Sequence, residues 1–257
     1  MVFLKWCGKR QIVRIPQKAQ ENASAKTIIK AVLSNRYWLI VFFYLMVYFV
    51  FNTSNATALV YFSKYVVHST DVVTWITFAM SVPMLIMMIF VVPSMIKKYG
   101  KRKSAAIGTI VLLVGSLLPL FDLNSVSLLI GASVVKGIGN APIVSTLFTL
   151  LADTIDYGEW NSKIRLEGVL FSAGTVGQTL GMGLGSAVVG YLMGFSGYVS
   201  GSAVQSDSAI NMIIFIFIGV PVIVCAIDLI LLGLNNLDSI YNKIVNDLQS
   251  GHYQENT

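Results

Sequence analysis

The chain has 257 residues, 55% of them hydrophobic and only 12% charged, with 18 Lys and Arg against 12 Asp and Glu and a mean hydropathy of +0.73. A soluble domain averages roughly 25% charged residues, so this much apolar side chain exceeds what a fold in water can cover, and lipid is the solvent to expect. The net charge of +6 is gathered in alternate loops rather than on one face, which sets nucleic acid aside as a partner.

In chain order, residues 1–23 read as a polar, basic lead. Residues 24–35, "SAKTIIKAVLSN", put Ile28, Ile29, Val32 and Leu33 on one helical face, with Lys26 and Lys30 off it and Ser24 as an N-cap. The pattern fits a short helix on the cytoplasmic membrane surface or an ordinary juxtamembrane extension. Runs with little or no charge then recur at the length of about 20 residues that a bilayer demands. They predict six transmembrane helices, at 37–61, 72–95, 104–121, 126–151, 168–193 and 210–234. The expected fold is an all-α membrane protein with a lead (1–36), a six-helix domain (37–234) and a cytoplasmic tail (235–257). A lipid-facing barrel would show alternating segments of ~10 residues instead.

The charges orient these helices. Eight Lys/Arg precede Tyr37, five lie in "KKYGKRK" (Lys97 to Lys103), Lys163 and Arg165 follow the fourth helix, and Lys243 follows the sixth. That is sixteen in alternate loops, against Lys64 on the other side and Lys136 inside a helix. The positive-inside rule then places both termini in the cytoplasm of a cell-membrane protein. Cys7 and Cys225 have no disulfide or zinc spacing, and no cleavable signal peptide is apparent. The only histidines, His68 and His252, lie outside the predicted helices. An intramembrane enzyme would carry His/Asp pairs or metal motifs within them, so neither catalysis nor a metal site is expected.

Several polar residues fall inside the apolar runs. Lys136, in "VVKGIGNAP", costs roughly 2.5–3.5 kcal/mol at mid-membrane. It should face an aqueous cavity or an acidic partner, or else snorkel outward. Gly137, Gly139 and Pro142 follow and are expected to loosen the helix so that freed carbonyls line a cavity. "NTSNAT" (Asn52 to Thr57) in the first helix suggests either a polar interior or helix-to-helix hydrogen bonds. In the fifth helix, Gly177, Gly181 and Gly185 make overlapping GxxxG steps and Gly190 with Gly194 another, a pattern of close packing or of a sliding surface. Ser172, Thr175 and Thr179 share another face, with Gln178 at its edge. With Lys136 they form the candidate substrate or coupling cavity. Asp228, late in the sixth helix, is expected near the inner interface without a functional role.

The densest charge lies in "LLADTIDYGEWNSKIRLEG", Leu150 to Gly168. Asp153 and Asp156 are expected at the C-terminal end of the fourth helix, where carboxylates oppose the helix dipole by a few tenths to ~1 kcal/mol. Lys163, Arg165 and Glu167 follow within reach. The segment reads either as a charge network that latches a cytoplasmic gate or as a solvated loop.

These residues resemble the signature of the glycoside–pentoside–hexuronide:cation symporters of the major facilitator superfamily. The matching positions are Ala152, Asp153, Asp156, Tyr157, Gly158 and Glu159, followed by Arg165 and Glu167, with Gly197-Tyr198 after the fifth helix. "TIIKAVLSN" and "YFSKYV" match more loosely. The resemblance covers nearly the whole chain and implies the C-terminal half of a 6+6 major-facilitator fold. It implies a sugar or glycoside substrate carried by alternating access, and a gate network of Asp153, Asp156, Tyr157, Glu159, Arg165 and Glu167. It also implies a partner, either the N-terminal half of the same transporter or a second copy. A coupling cation, H+ or Na+, would not be bound by this half alone, since the family's cation-binding acids lie mostly in the other half, and no other cofactor is implied. The family often carries Lys-Leu-Gly where this chain has Thr179-Leu180-Gly181. That departure weakens sodium coupling and leaves proton-coupled or uncoupled carriage open. The family's sugar-facing positions correspond to Gly174 and Thr175. The rival reading is a non-transporting or inactive membrane fragment or binding partner.

Overall fold

A computed structural model describes residues 32–162, 166–202 and 204–250, and among these it contains helices and no strand. The lead to residue 31 lies outside the described residues, and with it Cys7 and most of the 24–35 helix. So do Lys163, Arg165 and residues 251–257.

Helix α1 (Arg36–Tyr65) starts where the Asn35 side chain accepts the Trp38 N–H at 3.0 Å, satisfying one of the donors a helix start leaves free. Then come α2 (Val72–Tyr99), α3 (Lys101–Phe121), α4 (Val126–Ser162), α5 (Glu167–Phe195), α6 (Asp207–Leu234) and a tail helix, α7 (Asp238–Ser250). Five of them, α1 to α4 and α6, are long and apolar enough to cross a membrane. At 29 residues and 1.5 Å per residue, α5 has the length as well. Its glycines and hydroxyls leave it less apolar than the others.

A π-helical turn interrupts α2 at Met87–Val91 and α6 at Phe215–Gly219. Each lies just ahead of a proline, Pro93 and Pro221. Proline has no N–H and its ring crowds the carbonyl four residues back. Widening the turn moves the ladder to i→i−5, seen in the Val92 N–H to Met87 and Val220 N–H to Phe215 bonds.

Helix α1 packs along α5 and α6 and touches α4, while α2 and α3 pack along α4 and α3 also meets α6. The shared core includes Tyr44, Leu45, Phe51, Phe62, Leu147, Leu151 and Ile216. Gly137 and Gly139 do not loosen α4, which runs unbroken through Pro142. A side chain at Gly137 would meet the Met80 backbone of α2, and one at Gly139 the Leu112 backbone of α3. The glycines are there for contact between backbones.

Candidate functional site

Helix α4 is 37 residues long, ~55 Å at 1.5 Å per residue, well beyond a hydrocarbon layer of ~30 Å. Asp153 therefore lies inside a helix that continues to Ser162. It does not end the helix as the sequence suggested, and the opposed-dipole argument falls away. What sustains the extension is cover. Tyr37 at the start of α1 and Tyr157 meet edge to face at 4.7 Å. Tyr157 and Trp160 pack against a small apolar cluster of Tyr37, Leu237, Ile244 and Leu248. The tail helix is thus docked on the end of α4.

The polar contacts of this end come from four elements. The Lys101 ammonium donates to both Asp153 oxygens, at 2.6 Å each. Asp153 is buried, while Lys101 keeps about a quarter of its side chain exposed (28%). The Tyr241 hydroxyl of α7 donates to Asp156 at 2.8 Å, and the Trp160 indole N–H to Asp247 at 3.0 Å. The Lys101 ammonium also sits 5.1 Å from the Tyr241 ring centre. Burial, then the nearby Asp153 and Asp156 charges, push the Tyr241 phenol well above its ordinary value. The Asn35 amide donates to the Thr154 carbonyl at 2.8 Å, so one side chain caps α1 and ties it to α4.

Lys101 can reach Asp153 because of a one-residue link. Gly100 joins α2 to α3 at φ +82°, a conformation that favours glycine. The Asp238 carboxylate accepts the Arg102 N–H at 3.1 Å, and the Arg102 guanidinium donates to the Asn235 carbonyl at 2.9 Å.

Of the predicted network, the structure brings Asp153, Asp156, Tyr157 and the buried Glu159 together on one end of α4, whereas Glu167 opens α5 on an exposed surface. Arg165 lies outside the described residues. Sequence reasoning expected pairing within the loop or to a partner, and missed Lys101, Tyr241, Asp238 and Asp247. Leu237, Ile240, Ile244 and Leu248 form an i, i+3, i+7, i+11 stripe, a docking signal readable in the tail.

The candidate cavity residues divide. Ser172, Thr175 and Thr179 are exposed on α5, and Gln178 is half-buried beside them. Thr175 and Thr179 donate back to the Phe171 and Thr175 carbonyls, which leaves their oxygens free to accept. The opposite face of α5 is closed. Side chains at Gly177, Gly181 and Gly185 would strike Phe42, Met46 and Val50 of α1, whereas Gly190 and Gly194 meet nothing within 4 Å.

Lys136 does not join this stripe. It is buried inside the bundle, its ammonium 3.5 Å from the Asn55 amide oxygen and 4.5 Å from the centre of the Phe217 ring. It does not snorkel outward: an amide dipole and an aromatic face lie against its ammonium. Among "NTSNAT", Asn55 points inward, Ser54 and Thr57 bond back to their own helix, and Asn52 is exposed.

A family model described as MFS/sugar transport protein matches residues 2–239. The isoprimeverose transporter of Lactiplantibacillus pentosus is 30% identical over 257 residues, covering 99% of this chain and 53% of that protein. The uncharacterized symporter YnaJ of Bacillus subtilis (strain 168) is 25% identical over 251 residues, 96% of this chain and 54% of its own length. A putative sulfoquinovose importer of Escherichia coli (strain K12) is 29% identical over 152 residues, 59% of this chain and 32% of its own. The chain thus spans about half the length of the first two.

Proposed function

We propose, from the premise that this chain belongs to the MFS/sugar transport protein family, that it is the C-terminal six-helix half of a secondary transporter for a sugar or glycoside. The carrier works by alternating access, coupled to H+ or Na+, in the cell membrane with both termini cytoplasmic. Its other half is a second six-helix unit, either the N-terminal half of the same transporter or a second copy of this chain. No covalent chemistry enters the cycle.

The observation that carries this reading is the two-faced α5. One face is glycine laid against α1, and the other presents Ser172, Thr175 and Thr179, which no described residue covers. Hydroxyl acceptors on a membrane helix suit sugar hydroxyls, and in a two-half carrier the substrate path lies between the halves. Glu159, Asp153 and Asp156 then sit at the cytoplasmic mouth. The Lys101–Asp153 pair suits a latch, because its lysine keeps access to water and so has a hydrated state to return to when the contact opens.

The test is flux. The chain is reconstituted with the part of the isoprimeverose transporter that it does not match, and labelled pentosides and glycosides are offered. Saturable uptake above that of vesicles holding either piece alone, or saturable uptake by this chain alone as a self-assembly, supports the reading. Binding without flux in every combination overturns it in favour of a non-transporting membrane component.

A further inference from the structure

The interior of the bundle holds a second polar feature, separate from both the cytoplasmic cluster and the α5 stripe. On α1, Tyr44, Tyr48 and Asn55 are buried along one side, and α4 meets them with Lys136 and Asn140. The Tyr48 hydroxyl donates to the Asn140 amide oxygen at 3.0 Å, and the Asn140 amide donates to the Met84 sulfur at 3.5 Å. Helix α6 contributes Cys225 and Asp228, 1% and 3% exposed. One Asp228 oxygen and the Tyr44 hydroxyl are buried with no hydrogen-bond partner.

These groups form a connected column. Those on α1, α4 and α6 are all buried where α1 packs against α4 and α6. Of the helices that meet α6, α1 has its charges at its two ends, Arg36 and Lys64, α5 has Glu167 at its first residue, and no further charge comes from α3. Its charges are confined to Lys101, Arg102 and Lys103, of which Lys101 is held by Asp153, Arg102 by the Asn235 carbonyl, and Lys103 is exposed.

Among the described residues no cation is bonded to Asp228, and a buried carboxylate with an unpartnered oxygen is expensive; such a group takes up a proton instead of holding its charge. We propose that Asp228 is a proton-binding site inside this half. It is loaded in the conformation seen here, in which the Lys136 ammonium is held by Asn55, and released when Lys136 moves within reach of it as a counter-ion. A sodium ion is not favoured, since the column offers one carboxylate and the ammonium of Lys136 opposes a second cation. The inference deepens the transport reading and rests on it for a role in flux. It departs from the expectation that the other half supplies the whole cation site.

Protonation can be read without flux, by infrared spectroscopy of the full chain in detergent. The wild-type protein should show the C=O stretching band of a protonated carboxyl at neutral pH, and Asp228→Asn should remove it. A wild-type spectrum without the band, or an Asp228→Asn spectrum that keeps it, overturns the proposal. Should Asp228→Asn fail to fold, Asp228→Glu serves: the band should shift in position, and an unshifted band overturns the assignment. Lys136→Met removes the counter-ion of the released state, so the band should persist to more alkaline pH. An unchanged titration contradicts the pairing. A lost band with intact uptake counts against this inference alone, and absent uptake with the band in place counts against the transport reading alone.

Discussion

The α1–α5 seam and the end of α4 that reaches Ser162 hold helices together by opposite means. Along the seam, glycines bring two backbones together, with Gly181 against Met46 and Gly185 against Val50. Such contact has no charge to switch and no intermediate distance at which it is favourable. At the end of α4, the joint is made of single polar contacts from separate elements: Lys101 from α3, Tyr241 and Asp247 from α7, and Asn35 before α1. Each can break alone, and the Lys101 ammonium has water to return to. The first joint suits a part that moves as a rigid body, and the second suits a part that opens and closes.

The most disruptive way to break this contrast is Gly181→Leu. Forcing a side chain into the seam should cost about 3 kcal/mol, the upper end of ordinary overpacking, read as an earlier unfolding midpoint in detergent. Gly190→Leu, which faces open space, should stay within roughly 0.5 kcal/mol of the parent. Equal effects at the two glycines would dissolve the distinction.

Next in size is Asp153→Asn. In the assembled carrier it should slow uptake about tenfold, ~1.4 kcal/mol, while membrane insertion stays intact. Exchanging the pair, Lys101→Asp with Asp153→Lys, should recover part of the loss, a coupling that a double-mutant cycle isolates. Wild-type uptake in Asp153→Asn would remove the latch.

Tyr241→Phe is milder, removing one hydrogen bond to Asp156 at a cost of about 1 kcal/mol. It also carries a pH signature. The folded state holds the Tyr241 proton more tightly than the unfolded chain does. Its share of stability is therefore complete below tyrosine's ordinary value of ~10 and falls as pH rises above it. The variant should flatten that alkaline decline in melting temperature, and an unaltered decline would refute the assignment. Smallest in structural effect is Thr179→Lys. It should leave folding unchanged on an exposed face and alter the sodium and pH response of uptake. An unchanged response would mean that this position takes no part in coupling.

Much of this was legible in the sequence, for physical reasons. Uncharged runs of span length fixed the helices, because lipid tolerates little else. The GxxxG spacing anticipated the seam because close approach needs small residues at that interval. The partners of the charged segment were not legible. Asp153 meets Lys101, 52 residues earlier, through a turn at Gly100 and a long helix that no local pattern measures. Lys136 misled for a related reason. A lone charge in an apolar run announces its cost, but its partners, Asn55 and Phe217, are an amide and a ring that sequence does not mark as counter-groups. Asp228 was passed over because its distance from the helix end suggested an interface, and only packing shows it enclosed.

The central claim is that the hydroxyl face of α5 borders the sugar path while its glycine face is internal. The direct test is thiol labelling of the assembled carrier bearing Thr175→Cys, in a background with Cys7 and Cys225 replaced, with and without the transported sugar. The account predicts modification by a water-soluble reagent, slowed by the sugar. Modification only by a lipid-soluble reagent, at a rate indifferent to the sugar, would contradict it.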